Sequence, residues 1–153
     1  MLVIKKRSDL PGDCILNAPE QTVIVTVNIE GAMGRGVALS CKERYPDLYK
    51  KYYKVCKLGI LQPNSLLVSS VSPDQQILLF PTKIKWREAS PPELIIDNLK
   101  KLANMYDELN ITSLAIPPLG MENGWLKGKW KELVYQCILD TFGNMDINCT
   151  LYK

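Results

Sequence analysis

Histidine is absent from this 153-residue chain. That removes the side chain most often used near neutral pH as a general base and as a metal ligand. Any chemistry must therefore run on lysine, carboxylate, amide or backbone groups. The five cysteines, Cys14, Cys41, Cys56, Cys137 and Cys149, are odd in number, scattered, and contain no Cys-x-x-Cys pair. Neither a zinc site nor a disulfide framework follows, buried free thiols are the default, and no metal or cofactor is expected. No apolar run approaches the ~20 residues of a membrane span. The opening Met1-Leu2-Val3-Ile4-Lys5-Lys6 is too short in its apolar part, and charged on the wrong side, for a signal peptide. The expected setting is the cytoplasm, with no membrane partner. Repeats, linkers and low-complexity segments are also missing, so residues 1–153 read as a single domain and a monomer. Such a chain is long enough to bury roughly 70% of its unfolded surface.

What is present is an alternation of strand and helix patterns. Residues 1–6 read as an opening strand, followed by a turn-rich stretch with Pro11-Gly12-Asp13. Residues 22–27 form a continuous apolar, β-branched run, the pattern of a strand buried on both faces. Val37, Ala38, Cys41 and Tyr45 keep helical spacing up to Pro46, and Asp47 is a candidate cap for a second helix reaching about Cys56. Residues 66–70 and 76–80 flank Ser72-Pro73-Asp74-Gln75, a hairpin signature. Residues 81–87 read as a basic loop. Ser90-Pro91-Pro92-Glu93 has the form of a capping box, and Ile95, Leu99, Leu102, Tyr106 and Leu109 continue it as one apolar stripe that stops at Asn110. A short strand at 113–116, a helix carrying Trp130, Leu133, Val134, Cys137 and Ile138, and a last strand at 148–152 complete the order. The expected fold is α/β, a mixed, mostly parallel central sheet with helices on both faces. Ligands of such sheets lie outside the carboxyl ends of the strands, which is where the glycine loops and the Lys83 segment fall.

The net charge is a mild +3. Lys42, Arg44, Lys50, Lys51, Lys54 and Lys57 are interleaved with Tyr45, Tyr49, Tyr52 and Tyr53. A nucleic-acid face is one reading of this stretch, and a solvated helix face is the commoner one.

Three glycines fall within six residues after the strand at 22–27, in Asn28-Ile29-Glu30-Gly31-Ala32-Met33-Gly34-Arg35-Gly36-Val37-Ala38. A strand leading through such a loop into a helix start presents bare N–H groups to phosphate. Gly31 and Gly36 have the spacing of a Walker loop, but Val37 and Ala38 replace its lysine and hydroxyl, so ATP hydrolysis is not indicated. A dinucleotide fingerprint needs a third glycine where this chain has Leu39.

Asn28-x-x-Gly31-x-Met33-Gly34-x-Gly36-Val37-Ala38 resembles the first binding loop of the macrodomain family of ADP-ribose-binding modules. Three further segments extend the resemblance across nearly the whole chain. Asp9-Leu10 is similar to the family's adenine-contacting acidic position. Pro117-Pro118-Leu119-Gly120 followed by Asn123-Gly124 looks like its second phosphate loop. Phe80-Pro81-Thr82-Lys83-x-x-Trp86-Arg87 resembles the branch containing terminal-ADP-ribose protein glycohydrolases and the antitoxins that remove ADP-ribose from DNA. The resemblance implies that Gly34, Arg35, Gly36 and Val37, next to Met33, hold one phosphate. Pro118, Leu119, Gly120, Met121, Glu122, Asn123 and Gly124 would hold the other phosphate and the distal ribose. Asp9 would accept the adenine amino hydrogen, Asn28 would orient the distal ribose or a water, and Trp125 would cover an adenine or ribose face.

In that branch the lysine aligned with Lys83 is the implied nucleophile, attacking the anomeric carbon. It must be neutral, which requires desolvation or neighbouring cations such as Lys85 and Arg87. The protein-directed enzymes carry an aspartate where this chain has Met121-Glu122-Asn123-Gly124, whereas the DNA-directed antitoxins look like Asn-Gly there. Lys127-Gly128-Lys129 adds positive charge beside the site, compatible with a nucleic-acid partner. The leading expectation is thus an ADP-ribosyl hydrolase acting on nucleic acid or protein. An ADP-ribose-1″-phosphate phosphatase using Asn28 and a water, and a non-catalytic ADP-ribose reader, are the alternatives.

Overall fold

The computed structural model describes residues 1–119, 126 and 128–153. Its elements are β1 (Leu2–Lys5), β2 (Thr22–Asn28), α1 (Gly36–Arg44), α2 (Pro46–Lys57), β3 (Leu67–Ser72), β4 (Gln75–Lys83), α3 (Pro92–Met105), β5 (Ser113–Ile116), α4 (Gly128–Gly143) and β6 (Asn148–Tyr152). Three single 3-10 turns, Arg7–Asp9, Pro11–Asp13 and Ile15–Asn17, bridge β1 and β2. The strands form one sheet in the order β1-β6-β5-β2-β4-β3. Its first four pairings are parallel, and β3, at the edge, runs antiparallel to β4.

Because side chains alternate along a strand, the central strands feed two cores. Ile24, Leu78, Phe80, Leu114 and Ile116 point to one face and pack with Ile95, Leu99 and Leu102 of α3 and Val134, Ile138 and Phe142 of α4. Val23, Val25, Val27, Ile77, Leu79 and Ala115 point to the other and pack with Cys41 of α1 and Leu48 and Tyr52 of α2. This is the expected sheet with helices on both faces, and the continuous apolar run of β2 is explained by burial on both sides. Among the described residues no helix is long and apolar enough to cross a membrane.

Three local expectations are corrected. Pro46 does not merely end α1. It is the first residue of α2, whose N-cap is Tyr45, and Asp47 lies in the first turn, where its charge complements the helix dipole. Ser90 does not cap α3. The N-cap is Pro91, whose carbonyl accepts the Leu94 and Ile95 N–H groups at 3.1 and 3.4 Å. A residue before proline is held extended, which leaves Ser90 one position too early to reach those amides. Its Oγ is buried without a hydrogen-bond partner among the described residues. Finally, Lys83 is not in a loop: β4 runs on through Pro81 and ends at Lys83. Proline is tolerated there because the β3 ladder has already stopped at Leu79 and the β2 register shifts after Val27. The Pro81 carbonyl instead accepts from Asn98 Nδ2 of α3 at 2.9 Å.

Candidate functional site

Since β1, β6, β5, β2 and β4 are parallel, their carboxyl ends share one edge of the sheet. A cavity of about 560 Å³ opens along that edge, within the range of small-molecule sites. Arg7 after β1, Tyr152 of β6, Pro117 and Pro118 after β5, Asn28, Gly34 and Arg35 at and after β2, and Lys83 and Trp86 at and after β4 all line it. From β1 to β4 is four inter-strand steps, roughly 19 Å at the usual spacing. The site is therefore a trough for an elongated ligand.

Its middle is built from the loop between β2 and α1. Asn28, the last residue of β2, is buried and its side chain organises the loop. Its Oδ1 accepts the Glu30 and Ala32 N–H groups at 3.1 and 3.2 Å, and its Nδ2 donates to the Ala32 carbonyl at 2.9 Å. Only an oxygen can accept two backbone N–H groups, so the amide orientation is unambiguous. From below, the buried Tyr52 hydroxyl shares its proton between the Asn28 carbonyl at 2.7 Å and Oδ1 at 3.0 Å. Burial is the chief reason the Tyr52 phenol is pushed far above its ordinary pKa, so it stays protonated. With Oδ1 occupied and one Nδ2 proton used, the second N–H is the polar group Asn28 can offer the cavity.

The glycines of this loop are required for different reasons. Gly31 has φ +93°, and a Cβ there would sit 3.3 Å from Tyr53 Cδ2, while Gly36 has φ +55°. Gly34 has neither constraint among the described residues, since a Cβ added there meets none of their atoms within 4 Å. Gly34 lines the cavity, so the open space belongs to whatever the cavity holds. The helix that follows has Arg35 as N-cap with no side-chain capping bond. Among the described residues its first amides thus have neither an intrahelical acceptor nor a capping side chain, and Val37 and Ala38 line the cavity. A helix start of this kind can hold an anion.

Lys83 faces this loop. It pairs in register with Asn28 across the β2–β4 ladder. Burial, and after it the Arg35 guanidinium, lower its ammonium pKa below the ordinary lysine value. The segment beyond is tied to the first loop by two bonds. Ile29 N–H donates to the Ile84 carbonyl at 3.4 Å, and Trp86 N–H donates to Glu30 Oε1 at 2.9 Å.

Of the residues singled out from the sequence, Asn28, Gly34, Arg35, Val37, Lys83, Pro118 and Leu119 come together around the cavity. Gly36 starts α1 between the lining residues Arg35 and Val37 but does not itself line the cavity. Met33 is buried in the core under the loop, and Leu10 packs against that same core. Asp9 is exposed at the end of the first 3-10 turn, two residues past the cavity-lining Arg7. Gly120, Met121, Glu122, Asn123, Gly124 and Trp125, with Lys127, lie outside the described residues. Sequence reasoning missed Arg7, Thr82 and Tyr152, which line the cavity, and Tyr52 and Glu30, which hold its walls. Tyr152 is fixed by its hydroxyl donating to Glu20 Oε1 at 2.5 Å. The one available signal was the tyrosine cluster at 45–53, read as an outer face. Tyr52 in fact points inward, while Lys42 and Lys57 lie over the rings of Tyr49 and Tyr53.

Comparison with known proteins bears on the family and the fold. Over 122 residues the chain is 41% identical to a DNA ADP-ribosyl glycohydrolase of Thermus aquaticus, covering 78% of this chain and 33% of that protein. The chain thus spans about a third of the length of that relative. The solved macrodomain of Thermus aquaticus DarG superposes with a TM-score of 0.86 at 35% identity, covering 100% of this chain and 98% of the other. The structure of Thermosipho africanus DarTG in complex with ADP-ribose matches with a TM-score of 0.79 at 30% identity, over 90% of this chain and 39% of that one. The family model of the Macro domain matches residues 24–132, more than half of the chain, and on that match the chain belongs to the Macro domain family.

Proposed function

We propose that this chain binds ADP-ribose along the trough and removes it from ADP-ribosylated DNA, with Lys83 as the nucleophile and residues 1–153 acting as one catalytic domain. The observation that carries the reading is the pairing of Lys83 with Asn28 at the strand ends, on the wall of a trough whose centre is an uncapped helix N-terminus. The pyrophosphate lies on the amides of Gly36, Val37 and Ala38. The adenosine extends towards β1 and β6, where Asp9 accepts from the adenine amino group. The distal ribose falls between Asn28 and Lys83, with the free Asn28 N–H donating to it. The names of the Thermus and Thermosipho relatives support the ligand and the substrate class.

In the reaction so drawn, the neutral Lys83 amine gives its lone pair to the anomeric carbon. The bond from that carbon to the DNA base breaks, and its electron pair leaves with the base, which takes up a proton. The lysyl glycosylamine so formed opens reversibly to an imine, the form borohydride can reduce, and water then displaces the lysine, returning the amine and ADP-ribose. The depressed Lys83 pKa supports this role, because only the unprotonated amine is nucleophilic. Loss of the charge carried by Arg35 would raise that pKa again. The test is release of ADP-ribose from an ADP-ribosylated oligonucleotide by the purified protein. Binding of free ADP-ribose without any release would leave a reader of ADP-ribose and remove the hydrolase.

A further inference from the structure

We infer that Trp86 is the stacking platform for the modified nucleobase, and that it selects a base standing outside a duplex. This rests on the proposed removal of ADP-ribose from DNA. It adds the part of the molecule that recognises the DNA rather than the ADP-ribose.

The trough has two aromatic lining residues among those described, Tyr152 and Trp86. Tyr152 belongs to the fold: it is buried and its hydroxyl is held by Glu20. Trp86 is 43% exposed, which leaves a large part of its surface open to a ligand. Trp130 on α4 is equally exposed, yet it does not line the cavity. A single exposed aromatic needs no explanation by itself; what distinguishes Trp86 is its placement. It stands three residues beyond Lys83, on the same wall, and its backbone is clamped to the first loop through Glu30 at 2.9 Å. The Arg87 guanidinium lies 4.8 Å from the ring centroid. With its backbone held in this way the residue stacks at a reduced ordering cost.

The leaving group has to come this way. The base is bonded directly to the anomeric carbon, so it lies beside Lys83. The ADP side of the ligand runs from that carbon towards β1, which leaves the side beyond β4 for the DNA. There the base meets Trp86, and the flanking phosphates meet Lys85 and Arg87. Base–aromatic stacking of this kind tolerates any base but needs an unstacked one. The contact exists before and during bond cleavage alike, so it acts on KM rather than on kcat.

The experiment compares wild type, Trp86→Ala and Trp86→Phe on one ADP-ribosylated oligonucleotide, single-stranded and annealed to its complement. Melting temperature and affinity for free ADP-ribose are measured alongside. Trp86→Ala is expected to raise KM for the single strand roughly 10- to 100-fold, with kcat within about twofold and free ADP-ribose affinity held. Trp86→Phe restores most of the loss. Wild type prefers the single strand, and Trp86→Ala narrows that preference. An unchanged KM, or an equal loss of free ADP-ribose affinity, overturns the platform while wild-type turnover keeps the hydrolase. Wild type that acts on ADP-ribosylated protein but not on DNA overturns both the platform and the DNA substrate class.

Discussion

The end of β2 and the end of β4 stand opposite each other in register, Asn28 against Lys83, yet they are built differently. Asn28 is buried, and its side-chain oxygen and one of its amide protons are committed to the loop and to Tyr52. Lys83 is half-buried beside Arg35, and the segment beyond it leads to an exposed indole. The first region is tied down by hydrogen bonds and offers N–H donors, which suits holding an anion in one place. The second region perturbs an amine and opens outward, which suits reacting with a bond at the ligand's end and releasing what was attached. In the function proposed above, binding and turnover are separated across a single inter-strand step.

The comparison breaks most sharply at Lys83. Lys83→Ala is expected to lower turnover roughly a thousandfold or more, with ADP-ribose affinity nearly intact by calorimetry. The pH profile sharpens the point. The saturated rate should rise with pH as the amine loses its proton, and level off at a pH below the ordinary lysine value of 10.5. Arg35→Gln removes the second cause of the shift, so the rise should move to higher pH.

On the other side, Gly34→Val should damage binding. Its Cβ meets none of the described residues within 4 Å and the position lines the trough, so the melting temperature of the apo protein is expected to hold. The cost of forcing two methyl groups against the ligand is about 1–3 kcal/mol, about 5- to 150-fold in Kd. An unchanged Kd would put the pyrophosphate elsewhere.

These two sides were not equally legible in the sequence. The β-branched run before the glycines, and the loss of the Walker lysine to Val37, pointed to a phosphate loop of a different kind, and that loop lies where a parallel sheet puts ligands. Lys83 was singled out, but as a loop residue. Pro81 reads as a strand breaker in a linear string, and nothing local shows that β3 has already left the ladder at Leu79. Tyr52 was hidden for a related reason. Charge around it marks an outer face, and its partner Asn28 is 24 residues away. Glu30 and Trp86 carry no sequence signal of their bond, since it joins two loops through tertiary structure. Ser90 misled because its capping pattern is real but one residue out of phase, displaced by the following prolines.

Smaller effects test the scaffold beneath both regions. Tyr52→Phe keeps the ring and removes the shared proton from Asn28. It should cost about 1–2 kcal/mol in stability, and should lower ADP-ribose affinity more than Tyr49→Phe, whose hydroxyl is 3.4 Å from the Gly31 carbonyl. Equal effects would mean that the tyrosines only fill space. Smallest is Ser90→Ala. Removing a buried hydroxyl without a partner among the described residues should raise stability in denaturant titration by up to about 1 kcal/mol, with turnover unchanged. A loss of stability instead would show that Ser90 Oγ has a partner in solution.

The central claim, that the amine at the end of β4 forms the covalent bond, is tested most directly by trapping. The protein is mixed with an ADP-ribosylated oligonucleotide in the presence of borohydride and digested, and the modified peptide is identified by mass spectrometry. The account predicts one ADP-ribose adduct on Lys83, absent from Lys83→Arg. Full turnover by wild type with no adduct, or an adduct on Lys85 in its place, would contradict it.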